Sequence, residues 1–184
     1  MVREAPLDRR VKMYASETFY ENHREFLENV PKDQVELVSD HVFSQMSDTQ
    51  TPQGVMAIVQ MQSVEWKDIV KGNPLILMVE NLQDPGNLGT IVRMGEGAGV
   101  TGVIMSANTV DIYNSKTIRS TMGSIYRVPF MYVSDFTEAM KECQKEGISL
   151  YAAHLDGKNI YTEENYTKPT GFLIGNEGNG LTDA

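Results

Sequence analysis

The sequence predicts an α/β protein built on a mostly parallel sheet with helices on both faces. Two observations carry this. From residue 74 onward, strand-like apolar runs and helix-like periodic runs alternate up to an irregular loop before the last strand, which is the signature of strand–crossover–strand units. The first sixty residues show a shorter α/β rhythm of their own, and no internal repeat or low-complexity tract interrupts either part.

Taken in order, VKMYAS reads as a strand and ETFYENHREFLENV as one helix, with Ser16 or Thr18 as its N-cap. QVELVSD is a second strand, HVFSQMSDTQTPQ a polar, turn-rich connection, and GVMAIVQMQ a closing strand. A small domain is therefore expected over residues 1–62. SVEWKDIVKGN, with mixed charge and the stop signal Gly72-Asn73-Pro74, suits a linker over 63–73. The second domain, 74–184, reads PLILMVEN (strand), LGTIVRMGEGAG (helix), TGVIMSA (strand), SKTIRSTMGSIY (helix), VPFMYVS (strand), SDFTEAMKECQKEG (helix) and ISLYAAHL (strand). An irregular loop then leads to TGFLIGNEGNGL, a strand running into a glycine-rich loop.

Bulk properties narrow the class. With 184 residues and 41% hydrophobic content the chain can fill one substantial core or two small ones. Its longest apolar stretch, 74–79, falls far short of the roughly 20 residues that span a bilayer, so no membrane span is expected. MVREAPLDRR lacks the apolar core of a secretory signal. One cysteine, Cys143, cannot form an internal disulfide, and together these features point to the cytoplasm. Cys143 sits in a helical run and reads as a packing residue. No His/Cys/Asp cluster has metal-site spacing, so no metal is expected.

A net charge of −9 argues against an anionic partner, but its distribution is uneven. Between residues 85 and 134 four cations (Arg93, Lys116, Arg119, Arg127) face two anions (Glu96, Asp111), a local balance of +2. Counting alone leaves open whether these are a binding patch or ordinary surface charges.

Parallel sheets bind ligands beyond the C-terminal ends of their strands, so the loops after strands carry the functional information. In ENLQDPGNLGTIVR, Pro85-Gly86 forces a turn and Asn87 is placed to cap the following helix, with Leu88 and Ile91 toward the sheet. Arg93, about a turn and a half further on, can reach back toward the loop to hold an anion; a solvent-exposed Arg on a capped helix is the plain alternative. In GNEGNG, residues 175–180, three glycines allow left-handed backbone and close approach of a ligand to main-chain amides, or simply a tight turn. The order G-x-x-G-x-G on a late strand, with no P-loop Lys, does not fit a nucleotide-phosphate cradle.

Read together, ENLQDPGNLGTIVRMGEGAGV, KTIRSTMGSIYRVPF and FLIGNEGNGL, in this order and at these separations, resemble the motifs of the SpoU (TrmH) family of SPOUT-class methyltransferases. The likeness covers 74–181 almost continuously, and residues 1–62 resemble the small RNA-binding domain that many members carry. It implies a trefoil-knot domain, a rare exception to unknotted topology. It also implies S-adenosylmethionine as cofactor and transfer of its methyl to a ribose 2'-hydroxyl of rRNA or tRNA, by a homodimer.

Carried over by position, Asn87 and Arg93 are the catalytic candidates. Ala153, His154, Gly175, Asn176, Glu177, Gly178, Gly180 and Leu181 are the cofactor candidates, and Lys116, Arg119 and Arg127 the RNA contacts. His154 could be a base or a ligand, yet a lone His beside an apolar strand is more often a satisfied core residue. Both ends of the chain read as cut: the family's last motif, a Ser-Leu-Asn-Val-type string opening the final helix, is expected beyond Ala184. A non-catalytic RNA-binding module with the same fold, and an unrelated nucleotide-binding α/β enzyme, are the competing readings.

Overall fold

The structure, a computed structural model, describes residues 1–152, 154, 157 and 159–182. It divides into two compact units, Met1–Gln62 and Ser63–Ala184.

In the first unit, strand β1 (Arg10–Ser16) lies between β2 (Val35–Val38), which runs parallel to it, and β3 (Val55–Val59), which runs antiparallel. Alternate residues of β1, Met13 and Ala15, are fully buried and meet Leu27 and Val30 in a small core. Helix α1 (Glu17–Asn22) starts at Ser16, whose side chain accepts the Phe19 amide N–H. The expected single helix over 17–30 is broken at His23 (φ −136°), and α2 (Arg24–Glu28) follows. Side chains account for the break: Asn22 Nδ2 donates to the Thr18 carbonyl and His23 Nδ1 lies 3.2 Å from that of Phe19, so both compete for the helix's own acceptors. A second departure is α3 (Asp40–Met46), in a segment expected to be turn. Ser39 caps it by accepting from Val42 N–H and Phe43 anchors it, but seven residues are too few for periodicity to be visible in the sequence.

The second unit opens with α4 (Trp66–Val70), inside the segment expected to be a linker. Its Ile69 is fully buried against the sheet, because Gly102 leaves room for it: a Cβ there would lie 2.7 Å from the Ile69 side chain. The sheet comprises β4 (Leu75–Val79), β5 (Gly102–Ser106), β6 (Phe130–Val133), β7 (Ser149–Ala152) and β8 (Thr170–Ile174), in the order β6-β5-β4-β8-β7 with every pairing parallel. Helices α5 (Pro85–Ala98), α6 (Ser115–Ser120) and α7 (Phe136–Lys145) complete the unit. Ile76 and Met78 point to α4 and α7, where Phe136, Ala139 and Cys143 close the core. Leu77 points the other way and touches Gly95 of α5, so both faces of β4 are covered, as a continuously apolar strand requires. Burial pushes the Cys143 thiol up to about 11, which removes it as a nucleophile and leaves it a packing residue.

Helix α6 ends earlier than periodicity suggests. Met122 (φ 51°) and Gly123 (φ 99°) are both left-handed, a conformation no α-helix continues through, and a 3-10 turn, Ser124–Tyr126, replaces the expected last turn. Helices α5 and α6 meet at Gly89, where an added Cβ would lie 2.5 Å from Ser120 Cβ and 2.6 Å from the Thr117 carbonyl oxygen. Gly89→Ala is therefore expected to lower stability by about 1–3 kcal/mol despite alanine's better helix propensity, read as a lower urea midpoint at constant slope.

The strand order fixes where a ligand can go. From β4 the chain runs outward through β5 to β6, crosses to β7 at the opposite edge, and inserts β8 between β7 and β4. β4 and β8 thus flank the point where the direction of winding reverses, and the loops that leave their C-terminal ends face each other there.

Candidate functional site

The loop after β4 begins with a strained residue. Asn81 has φ 54°, held by its N–H donating to Ser106 Oγ at 2.9 Å and by the Ser106 hydroxyl donating back to Asn81 Oδ1 at 3.2 Å. Asp84 then caps α5, its carboxylate accepting the Asn87 N–H at 2.8 Å, with Pro85 at the first helical position. The expectation that Asn87 caps this helix is corrected here. Asp and Asn are equally good caps, and Pro85 selects the residue before itself, because proline fits the first turn and holds its predecessor extended. The Asp84 carboxyl is held below the usual carboxylate range, first by the Asn87 amide and next by Lys116, whose Nζ is 3.2 Å away. Leu88 and Val92, rather than Leu88 and Ile91, are the fully buried hydrophobic side chains of α5.

Relieved of capping, the Asn87 side chain points at the second loop. Residues 175–182 fold back on themselves through paired backbone bonds between Asn176 and Gly180, at 2.8 and 2.9 Å. Asn176 Oδ1 accepts the amides of Gly178 and Asn179, and its Nδ2 donates to the Asn81 carbonyl at 2.9 Å. Gly175 is required by contact: a Cβ there would lie 2.2 Å from the Gly180 carbonyl carbon. The Glu177 carboxylate accepts from Gln83 N–H (3.3 Å), Asp84 N–H (3.0 Å) and Asn87 Nδ2 (3.2 Å), joining loops some ninety residues apart.

These donors, the Asp84 amide foremost, hold the Glu177 carboxyl below its ordinary value of 4.5. A carboxylate with a depressed value contributes stability at pH above the unfolded value and loses it as pH falls through the folded one. The Gln83 and Asp84 amide resonances are accordingly expected to stay constant from neutral pH down to about 4.5 and to titrate only below it. An inflection near neutrality would contradict this assignment.

Asn87 and Glu177 are thus brought together, while the other candidates distribute around them. Arg93 is exposed on α5, six residues beyond Asn87, hence separated from it by about 120° around the helix and ~9 Å along it. It engages no described partner, and neither does the exposed Arg119. Lys116 is engaged with Asp84. Arg127 forms an ion pair through Nε and Nη2 with Glu96, which also accepts the Ser124 hydroxyl. Its charge is therefore largely neutralised within the fold, and the positive island of the sequence reduces chiefly to Arg93 and Arg119. His154 is exposed, which removes the core reading, and it borders a groove of about 800 Å³ with Tyr151, Tyr166, Phe172 and Ile174. Ala153 lies outside the described residues. Among the described residues, no group of three His, Cys, Asp or Glu could hold a metal ion, and no helix is long and apolar enough to cross a membrane.

Among the participants that the sequence did not single out are Glu80, Asn81 and Ser106. Only Glu80 left a trace, as a carboxylate directly following a fully apolar strand, a place where an ionised group must find donors.

The chain as a whole is similar in sequence and in fold to known proteins. The model of the SpoU rRNA Methylase family matches residues 74–184, and that of the RNA 2'-O ribose methyltransferase substrate binding domain matches 6–64. The chain belongs to the SpoU rRNA methylase family. It is 31% identical over 148 residues to the 23S rRNA (guanosine(2553)-2'-O)-methyltransferase of Bacillus subtilis, covering 80% of this chain and 58% of that protein. An uncharacterised tRNA/rRNA methyltransferase of Synechocystis is 34% identical over 146 residues, covering 79% and 53%. The chain thus spans little more than half the length of these relatives. Among solved structures, the SpoU methyltransferase AviRb of Streptomyces viridochromogenes in complex with AdoMet superposes with a TM-score of 0.81 at 25% identity, over 95% of this chain and 69% of that one. The AdoMet-bound rRNA methyltransferase of Sinorhizobium meliloti superposes with a TM-score of 0.79 at 27% identity, covering 95% and 66%.

Proposed function

We propose that the protein transfers a methyl group from S-adenosylmethionine to a ribose 2'-hydroxyl of rRNA or tRNA. The observation that carries this reading is the Asn87–Glu177 junction, which fixes a glycine-rich loop against the α5 N-terminus where the sheet's winding reverses. It is supported by relatives named as rRNA 2'-O-methyltransferases and by AdoMet-bound structures of the same fold.

The residues present fit this cofactor. Gly175 keeps the loop's backbone where any side chain would displace it, and it directly follows Ile174, which lines the groove together with His154. Bound there by Gly175, Asn176, Gly178, Gly180 and Leu181, S-adenosylmethionine supplies a methyl carbon made electrophilic by its sulfonium. Glu177 serves the site indirectly, by fixing the 83–87 loop rather than by touching the cofactor. Asn87 orients the ribose, and in-line placement of the 2'-oxygen provides much of the rate. Arg93, whose pKa above about 12 makes it a poor base, clamps a phosphate and stabilises charge developing on the 2'-oxygen. Arg119 and Lys116 contact RNA phosphates, Lys116 on leaving Asp84, and the unit Met1–Gln62 holds RNA. The same reading makes the protein a cytoplasmic homodimer with a knotted C-terminal domain.

Calorimetric titration of S-adenosylmethionine tests this. Saturable binding at one site per chain supports it; absence of binding, with RNA still bound, favours a non-catalytic RNA-binding module.

A further inference from the structure

Glu80 is the last residue before the site loop and is only 8% exposed. Its backbone N–H donates to the Ile174 carbonyl at 2.8 Å, at the entry of the glycine-rich loop. Its carboxylate accepts at the exit: Oε2 from Thr182 N–H at 2.8 Å and Oε1 from the Thr182 hydroxyl at 2.6 Å. One residue therefore grips both ends of residues 175–181, across 102 positions of sequence. The gripped segment contains three glycines, which lose more conformational freedom on ordering than any other residue, so its folded shape depends on fixed ends.

We propose that Glu80 is a positioning residue that latches the glycine-rich loop in its cofactor-binding shape through Thr182. This rests on the reading that the loop holds S-adenosylmethionine. Glu80 touches neither cofactor nor substrate; it acts by keeping the loop closed before the cofactor arrives, so that less ordering cost falls on binding.

Two readouts separate the latch from a general packing role: amide hydrogen exchange of residues 178–181, and the dissociation constant of S-adenosylmethionine. Glu80→Leu removes both acceptors. It is expected to accelerate exchange in 178–181 while leaving the β4 and β5 amides protected, and to weaken cofactor binding at least about tenfold, since two hydrogen bonds to a charged group are lost. At saturating cofactor, kcat stays within about threefold. Glu80→Gln restores most of the affinity, because its amide oxygen still accepts Thr182 N–H while the Thr182 hydroxyl rotates to accept from its NH2. Thr182→Val, at an exposed residue that cannot jeopardise folding, accelerates exchange partially and adds nothing on top of Glu80→Leu. Unchanged exchange in 178–181 in both Glu80→Leu and Thr182→Val overturns the latch, as does additivity of the two. If the unsubstituted protein binds no S-adenosylmethionine, the functional reading fails, while the exchange data still decide the latch.

Discussion

Gly175→Ala is expected to abolish S-adenosylmethionine binding while leaving the sheet folded. The methyl group would sit 2.2 Å from the Gly180 carbonyl carbon, 2.4 Å from its oxygen and 2.4 Å from Leu181 N. All three are backbone atoms, so no side chain can swing aside. Restoring ordinary contact distances requires the returning strand of the loop to move by more than ~1 Å, which breaks the paired Asn176–Gly180 bonds and withdraws the surface offered to the cofactor. A displacement of that size at a binding surface costs about a hundredfold or more. The apolar core of β4, β5 and α7 lies on the far side of these contacts, so the thermal midpoint falls by only a few degrees. Calorimetry and circular dichroism on the same sample check both halves. Wild-type affinity in Gly175→Ala would show that the loop opens to bind and that its observed closure is irrelevant.

Arg93→Ala carries the second large effect, of opposite kind. Its guanidinium engages no described partner, so stability should stay within about 0.5 kcal/mol, as for surface positions generally. Cofactor affinity should be unchanged as well. Turnover, in contrast, should fall by about 10²–10³, the usual loss when a group stabilising developing oxyanion charge is removed. Arg93→Lys should recover only part, since a point charge replaces a planar, two-pronged donor. A loss confined to RNA affinity, with kcat intact, would reassign Arg93 from chemistry to phosphate binding.

The contrast between these residues also shows what a sequence can disclose. β4 and β5 were visible because strands covered on both faces are continuously apolar, β6, β7 and β8 because each still carries a short apolar run, and α5 and α7 because they run for 14 and 10 residues. Helices α3 and α4 were missed because seven and five residues barely complete a turn or two. The breaks at His23 and Met122 depend on side chains competing for backbone groups and on left-handed geometry, neither of which alters hydrophobic periodicity. Insertion of β8 between β4 and β7 is a long-range fact with no local trace, and the site follows from it.

Within the site, Asn87, Glu177 and the glycines were legible as residue types in their loops, largely through family resemblance. Their relations were not. Asp84 and Asn87 are interchangeable as caps on paper, and only the proline between them breaks the tie. Glu96 and Arg127, 31 positions apart, pair within the fold a charge that family resemblance had assigned to RNA. Glu80 and Thr182 are 102 positions apart and invisible as a pair.

The most direct test of the proposed chemistry follows a radiolabelled methyl from S-adenosylmethionine into rRNA and tRNA, then digests the product with alkali. Methylation of a 2'-oxygen removes the nucleophile that alkaline cleavage requires. The expected result is label in alkali-resistant dinucleotides, absent from a substrate bearing 2'-deoxyribose at the target position. Label recovered in mononucleotides would place the methyl on a base and contradict the assignment, as would no incorporation into any RNA.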